Sequence, residues 1–168
     1  MNRALFLDRD GVINVEINYL SKVEDFVFIN GIFELCKKYQ DRGYLIFVVT
    51  NQSGIARGFY SQSDFNTLTT WMIKEFLDKG IKINKVYFCP HHPEISGDCA
   101  CRKPKAGMIL DAQREFDIDL ENSILVGDKE RDIEAAITAG IKESYLFDEK
   151  DICKISKATK IVSSLMEI

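Results

Sequence analysis

Long apolar runs are missing from this sequence, and none approaches the ~20 residues that a membrane-spanning helix requires. The net charge is −4 and no basic segment is concentrated enough to suggest nucleic acid as a partner. Internal repeats, low-complexity tracts and linkers are also missing. The length of 168 residues, with 46% of them hydrophobic and 29% charged, predicts one domain over 1–168 with a real core. We also expect a monomer in the cytoplasm.

A disulfide framework is missing too. The five cysteines are an odd number, and no secretory signal is visible at the start of the sequence. Both observations favour a reducing compartment and argue against disulfides. Cys36 and Cys153 stand alone, on segments with a helical or terminal pattern, and are interpreted as packing residues.

The other three cysteines and one histidine form a C-x-H and a C-x-C pair within thirteen residues. The candidate ligands are Cys89, His91, Cys99 and Cys101. Three thiolates and one imidazole are typical of a structural Zn²⁺ site, which has no open coordination position, so a zinc loop over 89–101 is predicted. His92 is a rival for the imidazole ligand, although the mirrored spacing of the two pairs favours His91.

Two carboxylates follow the first apolar run, in the segment D-R-D-G at positions 8–11. The run 5–7 predicts a strand buried on both faces, and open α/β sheets bind ligands beyond the carboxyl ends of such strands. At this spacing Asp8 and Asp10 can reach one small volume, where one attacks or holds a cation while the other moves a proton. A calcium EF-hand is excluded, because it needs glycine sixth and glutamate twelfth, whereas here glycine is fourth and Tyr19 is twelfth. A solvated turn remains the alternative.

Three further segments place polar residues after an apolar run. The run 45–49 ends in T-N-Q-S-G at 50–54, whose hydroxyl and amide donors suit phosphate oxygens. The segment R-K-P-K at 102–105 gathers three cations, with a solvated basic turn as its alternative. The last run ends in Asp128, with Asp132 four residues on, and either acid could instead cap a helix.

The order of these segments resembles the haloacid dehalogenase (HAD) superfamily of aspartate-nucleophile phosphatases. Longer stretches, from about residue 4 to 147, are similar to the heptose bisphosphate 7-phosphatases, whose relatives include histidinol-phosphate phosphatases. The matching stretches are LDRDGVIN at 7–14, TNQSGIARG at 50–58, CPHHP at 89–93, CACRKP at 99–104 and GDK at 127–129.

The resemblance implies a Mg²⁺-dependent phosphatase that acts on a small phosphorylated sugar through an aspartyl phosphate, with a structural Zn²⁺. The implied reaction removes the 7-phosphate of D-glycero-D-manno-heptose 1,7-bisphosphate, in the synthesis of heptose precursors for lipopolysaccharide or other surface glycans. Asp8 would be the nucleophile and Asp10 the general acid and base, while Thr50 and Lys103 would stabilise the phosphoryl group. The implied Mg²⁺ ligands are Asp8, Asp10, Asp128 and Lys129. The implied substrate contacts are Arg9, Glu16, Ile17, Asn18, Tyr19, Asn51, Gln52, Ser53, Arg102 and Lys129, with Arg102 on the distant anomeric phosphate.

Two positions depart from the family pattern, and two other functions remain open. Asn18 stands where the family usually has glycine, and Ala106 where it usually has proline, both beside substrate-facing loops. A histidinol-phosphate phosphatase, or one for another small sugar phosphate, would use the same reaction, but Arg102 is a poor neighbour for a cationic amine. A non-catalytic zinc module that binds phosphate would not need Asp10 and Asp128 along with Asp8.

Strand and helix patterns alternate, which predicts an α/β fold with a doubly wound parallel sheet. The resemblance implies that this sheet is a Rossmann-like HAD core. The predicted strands are 3–8, 44–50, 84–89, 123–128 and 143–147, and the predicted helices are 31–42, 62–79, 105–116 and 130–139. Helix 62–79, with Ser61 as N-cap, is expected to turn Phe65, Leu68, Met72, Ile73, Phe76 and Leu77 inward. The intervals 11–31 and 51–61 are too short for a cap domain, so we expect an essentially capless, open site with the zinc loop as its main wall.

Overall fold

A six-stranded sheet, parallel throughout, forms the centre of the protein in a computed structural model that describes residues 1–168. The strands are β1 (Ala4–Leu7), β2 (Leu45–Asn51), β3 (Lys85–Cys89), β4 (Ile124–Gly127), β5 (Glu143–Phe147) and β6 (Lys160–Val162). Their order across the sheet is β3-β2-β1-β4-β5-β6. The chain therefore reverses its direction of progression at β1, and open α/β sheets bind ligands at such a point.

Helices cover both faces of this sheet. The covering helices are α1 (Ile32–Asp41), α2 (Gln62–Asp78), α4 (Gly107–Phe116) and α5 (Glu130–Ala139), while the short α3 (Pro93–Ser96) buries no residue. Helices α1 and α2 pack on the face that carries Leu5 and Leu7 of β1, while α4 and α5 pack on the face that carries Ala4 and Phe6. Because both faces are covered, β1 is buried along its whole length. The prediction of a doubly wound α/β sheet is confirmed.

The start of α2 follows the predicted capping chemistry. The Ser61 hydroxyl accepts a hydrogen bond from the Asp64 N–H at 3.0 Å, and the Asp64 carboxylate accepts one from the Ser61 N–H at 2.8 Å. This reciprocal pair satisfies two N–H groups that a helix end leaves without partners. It also fixes the direction in which the chain enters α2, and so the position of Tyr60 immediately before it.

The inward face of α2 is narrower than the sequence analysis predicted. Phe65, Leu68, Met72 and Phe76 are buried, but Leu77 is 62% exposed, so its inward prediction is wrong. At about 100° per residue the four buried side chains share one narrow stripe. Ile73 lies at the edge of that stripe and is partly buried, whereas Leu77 lies well past it.

Two further differences from the prediction lie beyond residue 101. Helix α4 begins at Gly107 and not at residue 105, because the Lys105 N–H first closes a turn onto the Arg102 carbonyl at 2.9 Å. A Cβ on Gly107 would lie 2.2 Å from the Ala100 carbonyl oxygen, so the helix starts directly against the backbone of the zinc loop. Strand β6 was missed, because three residues carry too little periodicity to be recognised.

No cap is inserted over the carboxyl edge of the sheet. Between β1 and α1 the only regular element is a 3₁₀ turn at Val23–Asp25, and the connection from β2 to α2 contains none. The expected open arrangement is therefore confirmed. None of the helices combines the length and apolarity needed to cross a membrane.

Candidate active site

The carboxyl ends of three neighbouring strands bring the predicted site residues together. Asp8 follows β1, Asn51 is the last residue of β2, and Asp128 follows β4. These strands are neighbours because Leu7 pairs with Val48 on one side and Val126 on the other. The cleft at this edge has a volume of about 210 Å³. Its lining includes Asp8, Asp10, Glu16, Ile17, Asn18, Tyr19, Asn51, Gln52, Ser53, Asp128 and Lys129, all predicted, and Leu20, Gly54, Tyr60 and Arg131, which were not.

A buried group of opposite charges lies at the base of the cleft. Lys103 Nζ is 2.8 Å from Asp8 Oδ1 and 2.7 Å from Asp132 Oδ1, and it donates to the Val49 carbonyl at 2.8 Å. Burial raises the pKa of Asp8 well above its usual range, although Lys103 opposes this shift. Burial alone would lower the pKa of Lys103, but the two carboxylates outweigh it and raise that pKa. Lys103 therefore remains a cation.

Asp132 is both the helix cap that the sequence allowed and a partner of the buried lysine. It is the third residue of α5, and its Oδ2 accepts from the N–H groups of Asp128 at 3.2 Å and Lys129 at 3.0 Å. Its other oxygen makes the ion pair with Lys103. A Cβ at Gly127 would lie 2.3 Å from the Asp132 Cβ, so this approach of helix to strand requires glycine.

The carboxylates around Lys103 fit a hard divalent cation. Oxygens of Asp8, Asp128 and Asp132 lie within 4.8 Å of one another, and Asp128 Oδ1 is buried without a hydrogen-bond partner. Burial raises the pKa of Asp128, despite the ion pair with Lys129. Since both Asp132 oxygens are already engaged, Asp8 and Asp128 are the carboxylates available to a metal. Excess buried negative charge and an unpartnered oxygen are what Mg²⁺ binding would relieve.

Asp10 is held by three side chains. Asn14 Nδ2 donates to its Oδ1 at 3.0 Å, and Gln52 Nε2 donates to its Oδ2 at 3.0 Å. Arg9 approaches both oxygens, with Nη2 at 3.0 Å and 3.2 Å. Arg9 was expected to contact substrate, but it is 1% exposed and does not line the cleft. Its guanidinium also donates to the Leu20 carbonyl at 3.3 Å, so its contacts are with the protein.

The end of β2 joins the cleft to the segment that carries Lys103. Asn51 Oδ1 accepts from the Lys103 N–H at 3.0 Å, and Asn51 Nδ2 donates to the Lys103 carbonyl at 3.2 Å. Thr50 is buried behind the lining, and its hydroxyl accepts from Gln52 Nε2 at 2.9 Å. The side chain of Asn51 thus fixes the backbone from which Lys103 reaches Asp8.

The predicted zinc ligands converge in space. His91 Nδ1 lies 3.6 Å from Cys89 Sγ and 3.3 Å from Cys101 Sγ, and Cys99 Sγ lies 3.6 Å from both other sulfurs. A tetrahedron with zinc–sulfur bonds of about 2.3 Å has edges of about 3.8 Å, so these separations suit the metal. The Cys89–Cys101 sulfur pair, at 2.7 Å, is closer than such an edge, and all five cysteines are free thiols.

Neighbouring polar groups support the cluster. Against the effect of burial, backbone N–H groups, that of Arg102 foremost, lower the pKa of Cys99 to about 6, which favours the thiolate that a metal binds. Arg102 Nη1 donates to the His91 carbonyl at 3.3 Å. His92 is not in the cluster, since its Nδ1 accepts from the Glu94 N–H at 3.3 Å and its Nε2 contacts Arg57 at 2.7 Å.

The walls of the cleft are the loops 16–20 and 51–60. No residue of 89–101 lines it, so the expectation that the zinc loop is its main wall is wrong. Tyr19, with φ of 58°, packs on Phe59 across the rim with ring centroids 4.3 Å apart. The zinc loop instead continues through Arg102 into Lys103. Neither Arg102 nor Lys103 reaches the lining.

Comparison with known proteins places this chain among phosphatases. Residues 100–146 match a family profile described as HAD-hydrolase-like. The chain is similar to a D-glycero-alpha-D-manno-heptose-1,7-bisphosphate 7-phosphatase of Campylobacter jejuni, with 54% identity over 88% of this chain and 84% of the relative. It is also similar to a D-glycero-beta-D-manno-heptose-1,7-bisphosphate 7-phosphatase of Yersinia pestis, with 46% identity over 85% and 79%.

A solved structure shows the same likeness in three dimensions. It is a D,D-heptose 1,7-bisphosphate phosphatase from B. bronchiseptica, complexed with magnesium and phosphate. The TM-score is 0.85 at 29% sequence identity, over 97% of this chain and 93% of that one. The likeness therefore extends over the whole sheet and its helices, and it includes the edge at which the cleft lies.

Proposed function

The chain belongs to the family of heptose-1,7-bisphosphate 7-phosphatases, which are HAD-like hydrolases, and from this we propose that it removes the 7-phosphate of D-glycero-D-manno-heptose 1,7-bisphosphate. The observation that carries the proposal is the position of Asp8: it faces the open cleft and is held 2.8 Å from the buried Lys103. We propose 1–168 as one catalytic domain, working as a monomer in heptose precursor synthesis in the cytoplasm.

The first chemical step forms an aspartyl phosphate. An oxygen of Asp8 attacks phosphorus in line, the bond from phosphorus to the sugar oxygen breaks, and Asp10 donates a proton to that departing oxygen. Lys103, Thr50 and Asn51 stabilise the phosphoryl oxygens, since distributing that charge is most of what a protein contributes to phosphoryl transfer. Lys103 suits this role because its contacts with Asp8 and Asp132 keep it charged.

The second step regenerates the enzyme. A water molecule loses a proton to Asp10 and attacks the aspartyl phosphate, which releases inorganic phosphate and restores the Asp8 carboxylate. Mg²⁺ would be held by the carboxylates of Asp8 and Asp128 and the Asp10 carbonyl, with the Lys129 main chain beside it, and would offset the repulsion between Asp8 and the phosphate. Glu16, Ile17, Asn18 and Tyr19, with Gln52 and Ser53, would surround the sugar.

A comparison of substrates tests the proposal. Release of inorganic phosphate is measured with the α- and β-anomers of the heptose bisphosphate, fructose 1,6-bisphosphate and histidinol phosphate, with and without Mg²⁺. We expect a heptose bisphosphate to have the highest kcat/KM, and Mg²⁺ to be required. A preference for histidinol phosphate would replace the proposed substrate. Binding of phosphate esters without turnover would replace the proposed reaction.

The role of Asp10 predicts a dependence on the leaving group. Asp10→Asn should lower kcat for a sugar phosphate by about 10²-fold or more, because a positioned acid contributes about 10²–10⁴-fold. The loss should be much smaller with p-nitrophenyl phosphate, whose leaving phenolate hardly needs a proton. Steady-state rates on the two esters make the comparison. Equal losses on both would contradict proton donation by Asp10.

The convergence of three thiols and an imidazole predicts a structural zinc. Elemental analysis of protein purified without chelators should find about one zinc per chain. Cys101→Ser should release the metal, loosen 89–101 and raise KM more than it changes the Mg²⁺ requirement, because the loop precedes Lys103 directly. Cys153→Ser is the matched control, since Cys153 lies outside the cluster and should keep the zinc. Full activity in zinc-free protein would contradict a structural role.

Arg102 predicts discrimination between bisphosphates and monophosphates. Its guanidinium makes one hydrogen bond, to the His91 carbonyl, which leaves further N–H donors for a second, distant phosphate. Arg102→Ala should lower kcat/KM for the heptose bisphosphate by about 1.5–3 kcal/mol, the range of a charged hydrogen bond, while a monophosphate loses little. Steady-state kinetics of the wild type and the variant measure kcat/KM on both substrates. A uniform loss would show that Arg102 serves the fold of the loop instead.

A further inference from the structure

Gln52 connects two groups of the proposed reaction centre. Its Nε2 donates to Asp10 Oδ2 at 3.0 Å and to Thr50 Oγ1 at 2.9 Å, while its Oε1 accepts from the Tyr60 hydroxyl. A primary amide has two N–H donors and one carbonyl acceptor, so each of these groups has a partner. Gln52 is 2% exposed, and bulk water therefore does not compete for these positions.

Tyr60 is held where its hydroxyl meets this amide. The residue directly precedes the capped start of α2, and its ring lies so close to the backbone that a Cβ on Gly54 would be 2.3 Å from Tyr60 Cε1. Burial raises the pKa of Tyr60 to about 12, against the effect of nearby Arg9, so the phenol keeps the proton that it donates. Tyr60 is thus a fixed donor and Gln52 its acceptor.

This donor determines which way the amide faces. With Oε1 bound by Tyr60, the Nε2 group must point to Asp10 and Thr50. In the opposite orientation the carbonyl oxygen would face the Asp10 carboxylate, and two acceptors would meet without a proton between them. Asp10 Oδ1 is held by Asn14 and Arg9, both at 3.0 Å, whereas without the amide Oδ2 would keep only the Arg9 contact at 3.2 Å. The amide therefore supplies the shorter of the two contacts that restrain Oδ2.

We propose that Tyr60 is a positioning residue for proton transfer by Asp10 and acts on it through Gln52. The inference rests on the proposed function, because it concerns the acid that protonates the departing sugar oxygen. Tyr60 directs its hydroxyl to Gln52 and takes no part in bond making. Its contribution is to keep Asp10 in one orientation during both proton transfers, which matters most for a leaving group that must be protonated.

Tyr60→Phe tests this with a matched control. It should lower kcat for the sugar phosphate about tenfold, which is a fraction of what general acid–base catalysis contributes. The kcat for p-nitrophenyl phosphate should fall less than about twofold, and KM for both esters should stay nearly unchanged. The control is Tyr87→Phe: Tyr87 is 9% exposed, like Tyr60, but its hydroxyl donates to Glu115, away from the cleft. This variant should leave both rates unchanged. In Asp10→Asn the further change Tyr60→Phe should have no effect on the sugar phosphate. Equal losses on both esters, or additive losses in the double variant, would overturn the inference.

A second measurement does not depend on turnover. The side-chain amide protons of Gln52, followed by ¹H–¹⁵N NMR, should exchange slowly in the wild type and roughly fivefold or more faster in Tyr60→Phe, but not in Tyr87→Phe. Unchanged exchange in Tyr60→Phe would refute the inference whatever the kinetics show. If the wild type hydrolyses no phosphate ester while the Gln52 amide is protected by Tyr60, the proposed function fails and the orientation of Asp10 by this pair stands.

Discussion

Asp8→Asn is expected to lower kcat by at least about three orders of magnitude, or about 4 kcal/mol, for every phosphate ester. The substitution keeps the shape of the side chain and removes the charge that attack on phosphorus requires. Steady-state phosphate release under saturating substrate and Mg²⁺ measures it. Retention of more than roughly a tenth of the wild-type rate, which is only about 1.4 kcal/mol, would contradict covalent catalysis by Asp8.

The same variant should remain folded, and the sign of the stability change follows from the pKa of Asp8. Burial raises this pKa in the folded protein, so the folded state binds the proton more tightly than the unfolded one. Such a carboxyl lowers stability once the pH exceeds its unfolded value of about 3.9. Asp8→Asn should therefore not lower the Tm of metal-free protein at neutral pH. A clear fall in Tm would mean that lost activity reports unfolding.

Lys103→Ala is expected to damage both activity and stability. It leaves Asp8 and Asp132 buried without their shared cation, and breaking a buried ion pair costs about 3–5 kcal/mol. The free energy of unfolding, from urea titration, should fall by that amount. kcat/KM should fall alike for bisphosphates and monophosphates, because the proposed role of Lys103 is toward the transferred phosphoryl group, whereas that of Arg102 is toward the distant phosphate.

A lysine in an exposed ion pair is the matched control. Lys74 pairs with Asp78 at 2.6 Å one turn further along α2, and both side chains are exposed. Lys74→Ala should leave stability and activity nearly unchanged, because solvent screens such pairs. If the two lysine variants lose similar stability, the buried group of charges does not contribute what its geometry indicates.

Much of the site was predictable because it depends on local pattern. Each apolar run ends where polar residues begin, and parallel strands bring their carboxyl ends to one edge. Asp8, Asn51 and Asp128 lie at that edge for this reason. The convergence of Cys89, His91, Cys99 and Cys101 was predictable from spacing, since two residues with one between them can turn to the same point. The fold class followed from the alternation of strand and helix patterns.

The partners of buried side chains were not predictable in this way. Arg9 follows Asp8 directly, yet packing turns its side chain to Asp10 and away from the cleft. Asp132 has the pattern of a helix cap, and only the tertiary structure adds its ion pair with Lys103. Tyr60 carries no motif, because its role depends on the meeting of one hydroxyl with one amide.

The parallel arrangement of the sheet has a consequence for how the enzyme is made. Every pairing between parallel strands closes a long loop. The pairing of β1 with β4, for example, places Leu5 beside Ile124, which lies far along the chain. The contact between Asp8 and Lys103 joins residues 95 positions apart. Asp132, the second carboxylate that pairs with Lys103, comes still later in the chain. A growing chain therefore has no complete reaction centre until α5 has been synthesised and packed. Four of the six strands precede Asp132 in the chain, and no fragment that ends before Asp132 contains the full set of charges.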